Sequence, residues 1–446
     1  MKEDNTTTRR DFVKNTTIIA GGLAAAPLLG RANYFSGADD VIKVALIGCG
    51  DRGTGAAMQA LLTKQNVKLV AMADAFRDRV DSCYKQLTAE DISESSNTKG
   101  NVKNRVDVPE ERKFVGFDAY KKAISFADVV ILTTPPGFRP LHFEEAINQG
   151  KHVFMEKPVA TDPVGIRKVL ETAEKAKAKK LNVVVGLQRH YQNSYRELFK
   201  RKDLIGDITS AQAWWNNDGV WVNKRKYNQT EMEYQMRNWY YFVWLCGDHI
   251  CEQHVHNLDV VNWFKGSYPV VAQGMGGRQV RKGKDHGEIF DHHYVEFEYA
   301  DGSILNSQCR HIPGTMSKVD ELLIGTKGTI KCGAAEILDL KGKNLYQFDK
   351  KTDRNNPYQT EHDELFLAIS RGEYKFSDAE NGAKSTMTAI LGRMATYSGQ
   401  RLTWDKALNS DLNLQPKAYD WNAMPPVVPD EDGYYAIATP GVTKYA

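Results

Sequence analysis

The sequence predicts an α/β domain, a doubly wound parallel sheet of Rossmann type, followed by an α+β domain built on a mostly antiparallel open sheet. Two patterns carry that expectation. From residue 41 to residue 186, short apolar runs that stop abruptly alternate with helix-patterned segments, as parallel βαβ units do. Beyond Gln188 the strands switch to apolar/polar alternation, as in His293-Tyr-Val-Glu-Phe-Glu-Tyr-Ala before the turn Asp301-Gly302, which suits a sheet with one face on a core. The length of 446 residues accommodates two or three domains.

In chain order, residues 1–38 read as a leader. Thr8-Arg9-Arg10-Asp11-Phe12-Val13-Lys14 precedes a weakly apolar, uncharged run from Thr16 to Gly30. That run is shorter than the ~20 apolar residues of a membrane span, so no stable span is expected. It resembles a twin-arginine export signal, and the expected location is the periplasm or another compartment reached by that pathway.

Residues 39–188 read as the nucleotide-binding domain. Val41-Ile-Lys-Val-Ala-Leu-Ile and Val67-Lys-Leu-Val-Ala-Met-Ala are buried-strand text. Glu90 to Arg112 is polar and reads as an exposed insertion with no core role. Strands resume at Ala127-Asp-Val-Val-Ile-Leu, His152-Val-Phe-Met and Leu181-Asn-Val-Val-Val, with helices at Leu141 to Asn148 and Pro163 to Lys180. Residues 189–446 form the second domain, with one helix near Gly247 to Phe264 and another over 378–398 that packs back toward the first domain.

Composition excludes several classes. Hydrophobic residues at 41% and charged residues at 26% fit a soluble globular protein. Lys plus Arg at 59 against Asp plus Glu at 56 leaves +3, spread along the chain, so no nucleic-acid partner is expected. Six cysteines are too sparse for a disulfide framework, and Cys246 and Cys251 are not expected to pair.

Gly48-x-Gly50-x-x-Gly53 follows the first strand and opens a helix, and Asp74 ends the second strand. The glycines permit a tight turn and close backbone approach to a pyrophosphate, which then sits on the helix N-terminus beside Asp51 and Arg52. Asp74 suits a ribose 2′-hydroxyl and repels a 2′-phosphate, so NAD is expected over NADP. Thr134 and Pro135 end another strand at the same sheet edge. Arg139 and His142 reach toward the ribose or phosphates, or are simply solvated.

Glu156-Lys157-Pro158 ends the His152 strand, again at the ligand-binding edge. A lysine there stabilises the alkoxide that develops as hydride leaves carbon, and a surface ion pair of Glu156 with Lys157 is the plainer alternative. Later comes Glu252-Gln-His-Val-His256-Asn-Leu-Asp259. At helical spacing residues 252, 256 and 259 share a face, and a histidine there can accept an alcohol proton near neutrality.

Taken together, Gly48-x-Gly50-x-x-Gly53, Asp74, Glu156-Lys157-Pro158 and the Glu252 to Asp259 segment resemble the Gfo/Idh/MocA family of oxidoreductases. The resemblance runs from Val41 to about Trp404. It implies hydride transfer between a nicotinamide and a sugar, polyol or related alcohol, a homo-oligomer, and catalytic roles for Lys157, Glu252 and His256. Glu252 departs from the aspartate that the family carries there. Substrate contacts are expected at Lys157, Arg189, Trp239, Tyr240 and His256. No metal is expected; the lesser alternative places one on His249, Glu252 and His256.

Six of the eight tryptophans, at 214, 215, 221, 239, 244 and 263, fall within 50 residues. Such crowding favours a platform for carbohydrate C–H faces over pure core packing. Export removes the protein from the cytosolic NAD pool, which favours a tightly held cofactor. A redox-neutral glycosidase similar to glycoside hydrolase family 109 and a non-catalytic sugar sensor are the rival functions.

Overall fold

β1 (Ile42–Ile47) is buried at every position except Lys43. A strand this apolar needs cover on both faces and neighbours on both sides. It has them: β1 pairs in parallel with β2 (Val67–Asp74) and with β4 (Val129–Leu132). β3 (Lys113–Val115), β5 (His152–Met155) and β6 (Val183–Val185) complete a six-stranded sheet, ordered β3-β2-β1-β4-β5-β6, with every ladder parallel. The connection reverses direction between β1 and β4, and at such a switch point a crevice opens beyond the carboxyl ends of the strands. The computed structural model describes residues 40–90 and 100–444, so Arg9, Arg10 and the rest of the leader lie outside the described residues.

The second sheet has nine strands. These are β7 (Ile208–Asn217), β8 (Val271–Gly277), β9 (His292–Glu298), β10 (Ile304–His311), β11 (Lys318–Gly325), β12 (Gly328–Lys331), β13 (Glu336–Asp339), β14 (Asn344–Gln347) and β15 (Leu402–Thr403). Their order is β14-β13-β12-β11-β7-β10-β9-β8-β15, antiparallel except where β10 meets β7. Val295, Phe297, Leu305, Cys309 and Leu323 point to the buried face. Helices Val255–Lys265 and Ala379–Ser398 cover it.

Helix Ala379–Ser398 also packs on helix Pro163–Ala178 and on β6 of the first sheet. Two glycines allow this. A Cβ on Gly382 would lie 2.9 Å from Val185, and one on Gly392 would lie 2.8 Å from Phe297. One helix therefore lies close against both sheets and ties them into one core.

Two expectations change. The described part of the polar stretch has a core role: Val102 and Val108 are 2% and 4% exposed, and Arg105 caps the carbonyls of Leu61, Thr63 and Gln65. The helix expected over Gly247 to Phe264 is two helices, His249–Glu252 and Val255–Lys265. Asp248 starts the first with φ of +70° and its carboxylate accepts the His249 N–H. The chain then turns at Gln253 and His254, so Glu252 and His256 do not share a helical face.

All six cysteines are free and buried. No helix among the described residues is long and apolar enough to cross a membrane. Past Leu408 the described chain forms no further helix or strand. It is nonetheless tied down: Leu414 N–H donates to Asp162, Gln235 donates to the Val427 carbonyl, and Gly441 N–H donates to Ser398.

Candidate active site

The loop after β1 uses its three glycines differently. Gly48 has φ of +97°, and a Cβ there would lie 2.6 Å from Thr134 N. A Cβ on Gly53 would lie 2.0 Å from the Gly48 carbonyl, so this glycine lets helix Asp51–Leu61 pack onto the loop. Gly50 is under neither constraint: its φ is −75°, and nothing lies within 4 Å of its missing Cβ. The empty space faces the N-terminus of an eleven-residue helix, where N–H groups and the helix dipole favour an anion. A dinucleotide pyrophosphate fits that cradle, and a side chain at position 50 would fill it.

Asp74 ends β2 beside the same loop. Its Oδ2 accepts the Cys49 N–H at 2.7 Å and its Oδ1 the Phe76 N–H at 2.9 Å. Burial raises its pKa while these two amides oppose the shift. Each oxygen keeps a lone pair for a ribose hydroxyl. Thr133 Oγ1 donates to the Gly48 carbonyl at 2.7 Å, bracing the loop from β4.

Arg139 and His142 are buried, which corrects the solvated alternative. Arg139 Nη2 donates to the Thr134 carbonyl at 2.7 Å, while Nε and Nη1 are buried without partners. Burial lowers its pKa to about 10. His142 Nδ1 lies 3.2 Å from Thr134 Oγ1; burial, then Arg139, lower its pKa to about 3, so the ring is neutral.

Glu156 and Lys157 do not pair with each other. Glu156 accepts from Arg52 Nε, and Arg52 also faces Glu361 at 3.7 Å. Lys157 Nζ donates to the Glu252 backbone carbonyl and, at 3.1 Å, to Glu252 Oε1. Glu252 Oε2 is buried without a partner, and burial raises the pKa of this carboxyl against the pull of Lys157. No hydrogen bond joins Glu252 to His256, because the helix break separates them. His256 Nδ1 is buried and unpartnered; burial, then Lys157 and Arg189, push the ring far below its ordinary pKa, so it is neutral in the cavity.

These groups line one cavity of about 660 Å³: Gly48, Gly50, Asp51, Arg52, Gly53, Asp74, Thr134, Pro135, Arg139, His142, Glu156, Lys157, Glu252 and His256. Trp215, Trp221 and Trp239 line it too. The other three clustered tryptophans do not. Trp214 lies under the Lys318 ammonium at 3.2 Å, Trp244 donates from its buried Nε1 to Gln235, and Trp263 stacks on Phe199 at 4.6 Å.

Two expected substrate contacts, the lesser metal alternative and the shared face of residues 252, 256 and 259 are not found here. Arg189 is held by Glu321 at 2.6 Å and does not line the cavity. Tyr240 is 3% exposed, with its ring against Trp221, Tyr241 and His311. Asp259 bonds His190 at 2.7 Å, together with Ser385 and Asn381. His249, Glu252 and His256 do not converge. Among the described residues, the potential ligand atoms within 4.8 Å of one another belong to Asp248, His249 and His293. Asp248 is already saturated by donors from His249, Phe290, Tyr397 and His293.

The cavity adds residues the sequence reading passed over. Gln253 stood inside the segment from Glu252 to Asp259, where its polarity was a signal. Tyr358, Phe76, Phe117 and Arg237 also line the cavity, and no local pattern marks them.

Residues 42–185 match the family model of the Gfo/Idh/MocA oxidoreductases, described as an oxidoreductase family with an NAD-binding Rossmann fold. An inositol 2-dehydrogenase of Gluconacetobacter diazotrophicus is 31% identical over 173 residues, 38% of this chain and 45% of that protein. A 2,7-anhydro-N-acetylneuraminate hydratase of Escherichia coli is 26% identical, over 47% of this chain and 52% of that protein. The chain thus spans about half the length of these curated relatives. Among solved structures, scyllo-inositol dehydrogenase from Lactobacillus casei, with bound NAD(H) and scyllo-inositol, superposes with a TM-score of 0.60 at 18% identity, covering 82% of this chain and 100% of that one. At that identity the likeness establishes the fold, both sheets included.

Proposed function

From the premise that residues 42–185 are a Gfo/Idh/MocA-type NAD-binding Rossmann fold, we propose that the protein is an oxidoreductase acting on a ring hydroxyl of a sugar, polyol or glycoside, with NAD held tightly. One observation carries this reading: Lys157, Glu252 and His256 open into the same cavity as the Gly50 cradle and Asp74. Gly48, Gly50, Gly53 and the helix behind them would hold the pyrophosphate, and Asp74 the ribose. When bound, the nicotinamide supplies a hydride acceptor.

The chain's own residues do the rest. Lys157, positioned by the Glu252 carbonyl and carboxylate, donates to the reacting hydroxyl and stabilises the alkoxide. His256, neutral in its pocket, takes the hydroxyl proton as hydride departs from the carbon. Trp215, Trp221 and Trp239 offer aromatic faces to the sugar ring.

Tight retention is supported by the C-terminal segment. Trp421 packs on Phe76 at 5.0 Å and on Phe117 at 4.6 Å, and Tyr419 packs on Phe117 at 6.1 Å. Phe76 and Phe117 line the cavity, and Phe76 lies two residues past Asp74. Arg237 covers the Phe76 ring at 3.6 Å and pairs with Asp78. Retention suits an exported enzyme, the compartment that Arg9-Arg10 and the following run suggest.

A second reading, a redox-neutral glycosidase related to family 109, is favoured by Glu252 Oε2 and by the likeness to a hydratase. In that cycle the ketone acidifies the neighbouring C–H and Glu252 takes this proton. That proton passes to the departing oxygen, so the aglycone leaves as its alcohol; water adds across the C=C bond, and the hydride removed at the start returns to the carbonyl carbon as a proton returns to its oxygen. Denaturing the purified protein and assaying the supernatant should release NAD near one per chain. Inositols and methyl glycosides then test dehydrogenation, and nitrophenol release from nitrophenyl glycosides without added NAD identifies the second reading. Ligand binding with neither reaction would mark a sensor.

A further inference from the structure

Gln253 lines the cavity between the two groups assigned to chemistry, Glu252 and His256, yet it has no role in that assignment. Its side chain is held from behind. His311 Nε2 lies 2.8 Å from Gln253 Oε1, and Arg281 Nη2 lies 2.7 Å from His311 Nδ1. A guanidinium only donates, so His311 Nδ1 must accept. The proton of this imidazole is thereby confined to Nε2, and Nε2 must donate to Gln253. That fixes the amide: its oxygen faces His311, and its NH2 is left for the cavity. Among the described residues no protein acceptor takes that NH2.

The relay is rigid at each step. Arg281 is 4% exposed; its Nη1 donates to the Phe290 carbonyl at 2.6 Å and its guanidinium lies over the Tyr241 ring. The His311 ring is stacked against His249 at 4.6 Å and against Tyr240 at 6.0 Å. Its backbone N–H is anchored on the Asp291 carbonyl. Flipping the Gln253 amide would set its NH2 against the His311 N–H, leaving two buried donors face to face.

We propose that Arg281 and His311 lock Gln253 as a one-way hydrogen-bond donor, making it a substrate-specificity residue that requires an acceptor oxygen beside the reacting hydroxyl. A sugar or polyol hydroxyl neighbouring the reacting one offers such an oxygen. This rests on the sugar or polyol reading for the identity of the ligand, whereas the direction of the relay does not.

Two measurements on the NAD-loaded protein test it. The first is 15N-histidine NMR at neutral pH, with the His311 signals assigned by their loss in His311→Gln. The expected spectrum has a pyridine-type Nδ1 and a protonated Nε2; the opposite tautomer overturns the proposal. The second is calorimetric titration with myo-inositol, scyllo-inositol, methyl α-D-glucopyranoside and its monodeoxy derivatives. The best binder should lose at least ~10-fold affinity in Gln253→Glu, where the lost donor is replaced by an acceptor, with NAD content unchanged. In Gln253→Ala the monodeoxy derivative lacking the contacted oxygen should bind as well as its parent. Equal affinity of wild type and Gln253→Glu overturns the proposal. If no probe binds the wild type, the sugar reading fails, and the tautomer still decides the relay.

Discussion

Lys157 and Glu252, 95 residues apart, are joined twice: the ammonium donates to the backbone carbonyl of Glu252 and, at 3.1 Å, to its carboxylate. Both side chains are 13% exposed, which places a charge pair at the cavity wall where solvent screens it weakly. The backbone contact positions the lysine even when the carboxylate changes. Lys157→Met should therefore lower turnover by ~10²- to 10³-fold, as loss of a preorganised donor does. Glu252→Gln should cost less, because the backbone carbonyl still holds the ammonium. Both variants should retain bound NAD, and steady-state kinetics with NAD content measured on the same samples checks the ranking.

The glycine loop yields a contrast between two alanine substitutions. At Gly50 the new Cβ meets nothing in the protein, so Gly50→Ala should melt within ~0.5 kcal/mol of wild type yet lose NAD at least ~10-fold. At Gly53 the Cβ would meet the Gly48 carbonyl at 2.0 Å, and overpacking of that kind costs about 1–3 kcal/mol. Gly53→Ala should thus lose stability before ligand is added. Thermal melts and NAD titrations separate the two effects.

His362 lies in the core with its ring 4.1 Å from Phe154 and both ring nitrogens unpartnered. Burial, then Arg52, hold it far below its ordinary pKa, so it is neutral in the fold. The unfolded chain takes up a proton on this ring below about pH 6.5 and the folded chain does not, so its contribution to stability falls as pH falls. Relative to wild type, His362→Leu should gain about 2 kcal/mol of stability between pH 8 and pH 5. Urea midpoints at the two pH values give the difference; a pH-independent gap would show that the ring titrates in the fold as it does in the unfolded chain.

What was legible in the sequence follows from how far apart the interacting residues are. Gly48 to Asp74 is one βαβ unit, so its spacing encoded the cradle almost completely. The neighbours Trp214 and Trp215 necessarily point to opposite faces of β7, and only Trp215 reaches the cavity. Arg189 was misassigned to the substrate because its partner, Glu321, is 132 residues away. Helical periodicity presumed an unbroken helix through Gln253, whereas the turn there turns Glu252 toward Lys157. The tail past Leu408 carried no periodic signal, and only its hydrogen bonds and aromatic contacts reveal where it lies.

Those contacts make the final expectation quantitative. Trp421 touches both Phe76 and Phe117, and an aromatic pair contributes about 0.5–1.5 kcal/mol beyond its buried area. If these contacts must part before the nucleotide leaves, Trp421→Ala lowers the barrier to release by about 1.4 kcal/mol, a tenfold faster loss of NAD. Lys157, Glu252 and His256 line the cavity and Trp421 does not, so the rate with saturating added NAD should be unchanged. NAD remaining after timed gel filtration, compared between wild type and Trp421→Ala, reads the release rate directly. An unchanged rate would mean that the nucleotide leaves by a route that does not pass Phe76 and Phe117.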